Sequence, residues 1–343
     1  MSRLRQRPPP SARARPPEAP TAPLPLGRAG PSPKPLAFPR RICHNAAKDC
    51  AEGRRQGVST IYRVGVIGAG RPWKSEGATG FGMAHHHVKG FLATGRCELA
   101  AVADISRKNA EAFVQQYGGR AAIYEDYRAM LAEAKPDIVS VCTWPHLHAP
   151  MVLAAAEARV RAIHCEKPMA VTWGEARRMH QAAVANGVML TFNHQRRFNA
   201  PFQKARELLA DGAVGPLLRI EGQCDNIYDW GTHWLDMFFF YNNETPAEWV
   251  IGQIDAREEK RIFGAPVEQQ SICHFKFQNE VRGLLICGFE ASIGCANRLI
   301  GQEGVMEIGW QSPWLRLRRD TAAGWQEVEV TDGIHDPVAH DRA

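Results

Sequence analysis

The sequence predicts an α/β chain: a doubly wound parallel sheet first, then an α+β domain with a large, mostly antiparallel open sheet. Two patterns carry this. From residue 61 to 192, short apolar β-branched runs alternate with longer helical segments, the rhythm of a parallel sheet covered on both faces. From 193 to 343, longer strands follow one another across short turns such as "QNE" and "AAG", the rhythm of an antiparallel sheet. Residues 1–60 belong to neither pattern.

In the first domain the expected strands are Tyr62 to Ile67, Glu98 to Ala103, Ala121 to Tyr124, Ile138 to Cys142, Ala162 to Cys165 and Val188 to Phe192. Helices are expected over Ala84 to Thr94, Arg107 to Tyr117, Asp126 to Glu133, Ala149 to Arg159 and Thr172 to Asn186. In the second, helices at Pro201 to Ala210 and Thr232 to Phe240 accompany strands Leu217 to Gln223, Trp249 to Ala256, Gln270 to Phe277, Arg282 to Glu290, Val305 to Ile308, Trp314 to Arg318 and Trp325 to Val330.

The net charge of +6 over 343 residues is unevenly placed. Residues 1–60 hold 12 Lys+Arg against 3 Asp+Glu, so the remainder carries 30 against 33. A mildly acidic body argues against a nucleic-acid partner. The first 41 residues hold 12 of the 23 prolines and are expected to be a disordered tail, or an extension ahead of a true start near residue 58. Nine cysteines without a C-x-x-C pair point to buried thiols of a reducing, cytoplasmic compartment. No apolar run reaches the eighteen residues a membrane span needs.

The chemistry-bearing residues fall in three groups. "RVGVIGAGRPWKSEGATGFGMAHHHVKGF" begins as an apolar strand running into Gly68 and Gly70, the start of a Rossmann dinucleotide loop. The third glycine of G-x-G-x-x-G is due at position 73, which is Trp73. With Gly82 in that role the loop is enlarged, so that Arg71 to Phe81 bulge over the cofactor and Trp73, Lys74 or Ser75 touch its pyrophosphate or close the cleft. Asp104, ending the second strand, suits the ribose hydroxyls of NAD, while Ser106, Arg107 and Lys108 leave NADP open. His85, His86 and His87 point three ways on a helix, so no metal is expected there.

The second group is Glu166-Lys167-Pro168, directly after the fifth strand at the carboxyl edge of the sheet. The proline aims Lys167 into the cleft. The third is "YDWGTHWLDM", in which a helix starting at Asp229 would put Asp229 and His233 on one face, the carboxylate orienting the imidazole.

With "VIGAG", "VADIS", "PDIVSVCTWPHLHAPMVLAAAEA", "HCEKPMAVT", "NHQRRFNAPF" and "DWGTHWLDM" in place, the chain from Tyr62 onward resembles the glucose-fructose oxidoreductase and inositol dehydrogenase family, Gfo/Idh/MocA. The resemblance implies a catalytic set of Lys167, Asp229 and His233, a substrate-lining Arg196 beside His233, and a His148 near the nicotinamide. With Gly68, Gly70, Gly82 and Asp104, it assigns His148, Glu166 and Lys167 to cofactor binding. It implies hydride transfer between NAD or NADP and a secondary hydroxyl or ketone of a sugar or polyol, and a homodimer or homotetramer built through the C-terminal sheet. The substrate pocket is expected from that sheet's loops, near Trp310 and Trp314. Two other functions share the scaffold: an NAD-dependent glycosidase using transient oxidation, and a non-catalytic cofactor-binding regulator. Relatives add a final helix after the point where "DPVAHDRA" ends this chain, which suggests truncation.

Overall fold

A computed structural model describes residues 60–288, 293–319, 322–331 and 333. The expected tail, apart from its last residue, and the closing "DPVAHDRA" lie outside them. Both sheets belong to one compact unit, Ser59–Ala343.

Strands β1 (Tyr62–Ile67), β2 (Cys97–Ala103), β3 (Ala122–Tyr124), β4 (Ile138–Val141), β5 (Ala162–Cys165) and β6 (Met189–Phe192) form a parallel sheet in the order β3-β2-β1-β4-β5-β6. Helices α1 (Met83–Ala93), α2 (Arg107–Tyr117), α3 (Tyr127–Glu133), α4 (Pro145–Glu157) and α5 (Trp173–Asn186) cross between them. The strands are apolar on both faces because helices cover both: Val64, Val66, Val139, Val141 and Ile163 are all buried. The sheet order reverses between β1 and β4, so their carboxyl ends splay apart and leave the crevice where such folds bind ligands.

Caps set the helix limits. Ser106 and Asp126 accept the backbone N–H groups of Asn109 and Arg128, and Thr172 forms a reciprocal capping box with Glu175. Helix α4 starts four residues before the expected Ala149, at Pro145, since proline suits the first helical position; it also holds Pro150 inside.

The 3-10 turn Gln195–Phe198 and α6 (Ala200–Ala210) lead to β7 (Leu217–Cys224), α7 (Gly231–Tyr241), β8 (Ala247–Asp255), β9 (Lys260–Ile262), β10 (Ala265–Val267), β11 (Gln270–Phe277), β12 (Arg282–Cys287), β13 (Asn297–Gly301), β14 (Val305–Ile308), β15 (Leu315–Arg318) and β16 (Gln326–Glu327). Eight of these strands form a sheet ordered β16-β15-β14-β13-β7-β12-β11-β8. The expectation of antiparallel neighbours in chain order fails at its centre: β7 lies between β13 and β12 and pairs with β12 in parallel. Helix α7 and strands β8 to β11 intervene between the two, long enough for the crossover that a parallel pair requires. Strands β9, β10 and β13 were not expected; the first two are three-residue arms of a separate hairpin, too short for a periodic signal. Phe202, Trp234, Met237 and Phe238 from α6 and α7 are buried against Ile220, Leu285, Leu299 and Met306 of the sheet, forming its core.

Candidate active site

The glycine loop follows β1 at the crevice. Gly68 has φ +85°, and a Cβ there would lie 2.7 Å from Thr143 Cγ2 and 2.9 Å from the Cys142 carbonyl, so only glycine makes this turn beside β4. Gly70, at φ +57°, has nothing within 4 Å of where a Cβ would project. Backbone bare on that side is the cradle a pyrophosphate needs. Asp104 ties the loop down: Oδ2 accepts the Gly70 N–H at 2.9 Å and Oδ1 accepts the Ser106 N–H at 2.8 Å. Gly82, at φ +63°, caps α1, and a Cβ would meet the Arg71 carbonyl at 2.5 Å.

Between these glycines, residues 71–81 form a folded bulge. Arg71 Nε donates to Asn109 Oδ1 at 3.0 Å, and the Ser75 and Ala78 N–H groups donate to the carbonyls of Pro72 and Ser75, each at 3.1 Å. The Trp73 and Phe81 rings lie 5.8 Å apart, and Phe81 is 6.1 Å from Phe263, at the turn of the β9–β10 hairpin. Together with Lys74, Ser75, Ala78 and Gly80 they line a cavity of about 330 Å3.

Below the carboxyl edge lies a buried polar knot drawn from four elements. His87 of α1 reaches Ser140 Oγ of β4 through Nδ1 at 2.8 Å and Glu166 Oε1 through Nε2 at 2.9 Å. Asn193, just past β6, donates to the same Glu166 oxygen at 2.6 Å. Burial alone would lower the His87 pKa, but contacts with Cys142 and Glu166 outweigh it and hold it at about 10. Burial likewise opposes charge on Glu166, and His87, Asn193 and Lys167 overcome it, holding the carboxyl at about 2. Both groups are therefore charged at neutral pH. Glu166 Oε2 also accepts the Lys167 backbone N–H at 3.1 Å, so the knot fixes the start of the Lys167 loop. His85 turns elsewhere, with Nδ1 3.1 Å from the Tyr117 hydroxyl, in line with three consecutive histidines pointing apart.

The Lys167–Pro168 peptide is cis. Lys167 Nζ donates to Asp229 Oδ1 at 2.6 Å, with side-chain exposures of only 18% and 10%. The expectation that a helix starts at Asp229 and puts it on one face with His233 needs correction. Helix α7 begins at Gly231, so Asp229 precedes it and the two residues do not share a helical face. The Asn226 side-chain oxygen accepts the Asp229 N–H at 2.7 Å, which bends the chain before the helix. The carboxylate thus orients the lysine. His233 sits buried in the first turn of α7, its ring edge-on to His194 at 5.8 Å. Arg196 is buried with its guanidinium 5.3 Å from the Trp230 ring, and burial lowers its pKa to about 10. Trp310 packs on Trp230 and Trp234, at 6.1 and 5.6 Å.

Two residues assigned to the cofactor face inward instead. His148 is fully buried, with Nδ1 2.9 Å from the Pro168 carbonyl and Nε2 3.0 Å from the Thr143 carbonyl, so it braces the loops after β4 and β5. Glu166 spends both oxygens within the knot. The sequence gives no separate signal for Asn193 or His194, because residues past a strand end reveal their neighbours only once strands are ordered.

The family described as "Oxidoreductase family, NAD-binding Rossmann fold" (Gfo/Idh/MocA) matches residues 62–194. D-glucoside 3-dehydrogenase of Escherichia coli is 33% identical over 160 residues, 47% of this chain and 42% of that protein. Inositol 2-dehydrogenase/D-chiro-inositol 3-dehydrogenase of Shouchella clausii is 30% identical over 263 residues, 72% of this chain and 71% of the relative. The alignments with the E. coli protein and with an inositol 2-dehydrogenase of Paracoccus denitrificans span less than half of each relative, 42% and 44%. Among solved structures, levoglucosan dehydrogenase in complex with NADH and levoglucosan superposes with a TM-score of 0.65 at 20% identity, covering 82% of this chain and 83% of that one. This last likeness is one of fold.

Proposed function

The chain belongs to the Gfo/Idh/MocA oxidoreductase family, and on that premise we propose that it is an NAD(P)-dependent dehydrogenase acting on a secondary hydroxyl or ketone of a sugar, polyol or related compound. The observation that carries this reading is the Lys167–Asp229 pair, held at 2.6 Å at the carboxyl end of β5 in a unit that also offers the open Gly70 cradle. Named relatives act on glucosides and inositols, which supports a neutral polyhydroxylated substrate.

The cradle fits a dinucleotide: Gly68 makes the turn, Gly70 presents bare backbone and Gly82 opens α1, whose N-terminus favours a phosphate. Asp104 at the end of β2 favours NAD, because its charge repels a 2′-phosphate. Ser106 caps α2 and Arg107 pairs with Glu111 at 3.0 Å, while Lys108 beside them keeps NADP open. When bound, the nicotinamide supplies the hydride acceptor. Lys167, fixed by Asp229, holds the substrate oxygen, and His233 takes the hydroxyl proton. Buried Arg196, stacked near Trp230, shapes the substrate wall.

The seven cysteines among the described residues are free thiols, which supports the cytoplasmic reading. Among those residues no helix is long and apolar enough to cross a membrane. Val250, Ile251 and Ile254 are exposed on edge strand β8, which supports a homo-oligomer built through the C-terminal sheet. The decisive experiment is a panel of sugars and polyols followed by the absorbance of the reduced nicotinamide. Oxidation of at least one member is expected; release of an aglycone with no net NADH would reject the dehydrogenase reading.

A further inference from the structure

Cys142 is a nucleophile that the proposed hydride chemistry leaves unused. It follows β4 on the wall of the crevice: its N–H donates to the Ile67 carbonyl at 2.8 Å, and a Cβ on Gly68 would meet its carbonyl at 2.9 Å. The thiol is half-buried, with Sγ 3.3 Å from His87 Nδ1 and 3.4 Å from Ser140 Oγ. His87 Nε2 in turn meets Glu166 Oε1 at 2.9 Å. Sulfur, imidazole and carboxylate are thus linked in series, the order in which an activated thiol is built.

The charge on His87 decides which way these bonds run. Paired with a carboxylate and protonated at neutral pH, the imidazole carries hydrogen on both nitrogens, so Nδ1 donates, shared between Ser140 Oγ and the Cys142 sulfur. The Ser140 hydroxyl hydrogen is then free to turn to the same sulfur. A sulfur that accepts from a cation and a hydroxyl is in the setting that stabilises a thiolate, and the thiolate is the nucleophile. The neighbouring Cys165 is the opposite case: it is fully buried, and burial pushes its thiol well up. Cys97, at the start of β2, shares the partial exposure of Cys142 and is the fair comparator.

We propose that Cys142, His87 and Ser140 form a peroxide-reactive thiol site in the wall of the cofactor crevice, such that oxidation of Cys142 and binding of the dinucleotide exclude one another. The Cys142 sulfur attacks one oxygen of hydrogen peroxide. The S–O bond forms as the O–O bond breaks, and the sulfur is oxidised to a sulfenic acid. The other peroxide oxygen leaves as hydroxide and takes the His87 Nδ1 proton to become water. Glu166 holds the imidazole in place through that transfer. The exclusion follows from position: a dinucleotide laid on Gly68 and Gly70 covers the wall that Cys142 shares with Gly68. By linkage, a ligand that hinders the oxidised state is itself hindered by it. From the dehydrogenase reading the proposal borrows only that the cradle takes a dinucleotide.

The test exposes the full chain to hydrogen peroxide with dimedone as the sulfenic-acid trap and follows each cysteine peptide by mass spectrometry. At pH 7 an ordinary thiol is only a few per cent thiolate, so Cys142 should be trapped about tenfold faster than Cys97. Saturating NADH should slow trapping at Cys142 about tenfold and leave Cys97 alone. Once peroxide is removed, the oxidised wild type should bind NADH about tenfold more weakly, whereas Cys142→Ser treated in the same way should bind it as before. His87→Gln should bring the Cys142 rate down to that of Cys97. Equal rates at Cys142 and Cys97 overturn the proposal, as does a Cys142 rate untouched by NADH or by His87→Gln, or an equal loss of NADH binding in Cys142→Ser. If His87→Gln fails to fold, Ser140→Ala carries the same comparison with an expected slowing of about fivefold, and no slowing overturns the proposal. No arm needs turnover, so a protein that behaves as expected here yet oxidises no sugar refutes the dehydrogenase reading alone, and one that oxidises sugars but fails here refutes the thiol site alone.

Discussion

The two sheets hold their charges in opposite ways. In the eight-stranded sheet, Glu221, Arg298, Glu307 and Arg316 form one row across β7, β13, β14 and β15, each opposite the next in register. Their ion pairs, at 3.1 Å for Arg298–Glu221 and 2.7 Å for Arg298–Glu307, join direct cross-strand neighbours whose arginines stay partly in water. Under the parallel sheet, His87, Ser140, Glu166 and Asn193 come from α1, β4 and the ends of β5 and β6, and the His87–Glu166 pair is almost wholly removed from water. A row follows from register and steadies strand order. A knot requires four elements to arrive together, so it rigidifies the one place they meet, the root of the Lys167 loop.

The largest expected effect separates chemistry from both. Lys167→Ala should lower kcat by about 10²–10⁴-fold while NAD affinity, read by titration, stays within error; wild-type turnover in that variant would remove the lysine from the mechanism.

Next come the two charge sets. His87→Leu leaves Glu166 buried and uncompensated, and should cost about 3–5 kcal/mol in urea unfolding together with a loss of kcat. Glu307→Gln should cost about 1.5–3 kcal/mol and leave kcat alone. If the row variant also lowered kcat, the division between sheet-ordering and site-ordering charge would collapse. Acid and alkali sharpen the same contrast. The folded pKa of His87 is raised from 6.5 to about 10, so its stabilisation is full below 6.5 and lost as pH rises through 10. That of Glu166 is depressed from 4.5 to about 2, so its stabilisation is present above 4.5 and lost as pH falls through 2. The stability difference between wild type and His87→Leu should therefore shrink as pH falls from 4.5 through 2, and the His87 contribution to it should fade as pH rises from 6.5 through 10; a difference unchanged across the acid range would mean the pair is not ionic.

The smallest effect concerns the bulge. Replacing residues 72–81 with a short glycine-containing link should weaken NAD binding about tenfold, equivalent to about 1.4 kcal/mol. Unchanged cofactor affinity and unchanged KM would show that the Trp73–Phe81–Phe263 cluster neither closes over the cofactor nor limits access.

Much of the first sheet was legible because period and punctuation are local. β1 and β5 and helix α2 fall on the expected residues, and Thr172 and Asp126 become caps where helix starts were drawn. The turns at Gly68, Gly70 and Gly82 were legible for the same reason, whereas the tie from the Asp104 carboxylate back to the Gly70 N–H, 34 residues away, was not. The second sheet was less so. Placing β7 beside β12 takes a crossover of more than fifty residues, which no local pattern announces.

By itself, then, the sequence determined which segments are strands and helices, where the glycine turn falls and that Lys167 leaves β5 at the carboxyl edge, since these depend on side-chain periodicity and on glycine or proline within a few residues. The tertiary structure alone decided the partners. Asp229 meets Lys167, 62 residues away, from a turn two residues ahead of α7. His148 and Glu166 turn inward because backbone and imidazole donors and acceptors wait there, and His87 and Asn193, 106 residues apart, meet on one carboxylate. Pairing over such separations is set by sheet order and burial, which exist only once the chain has closed on itself.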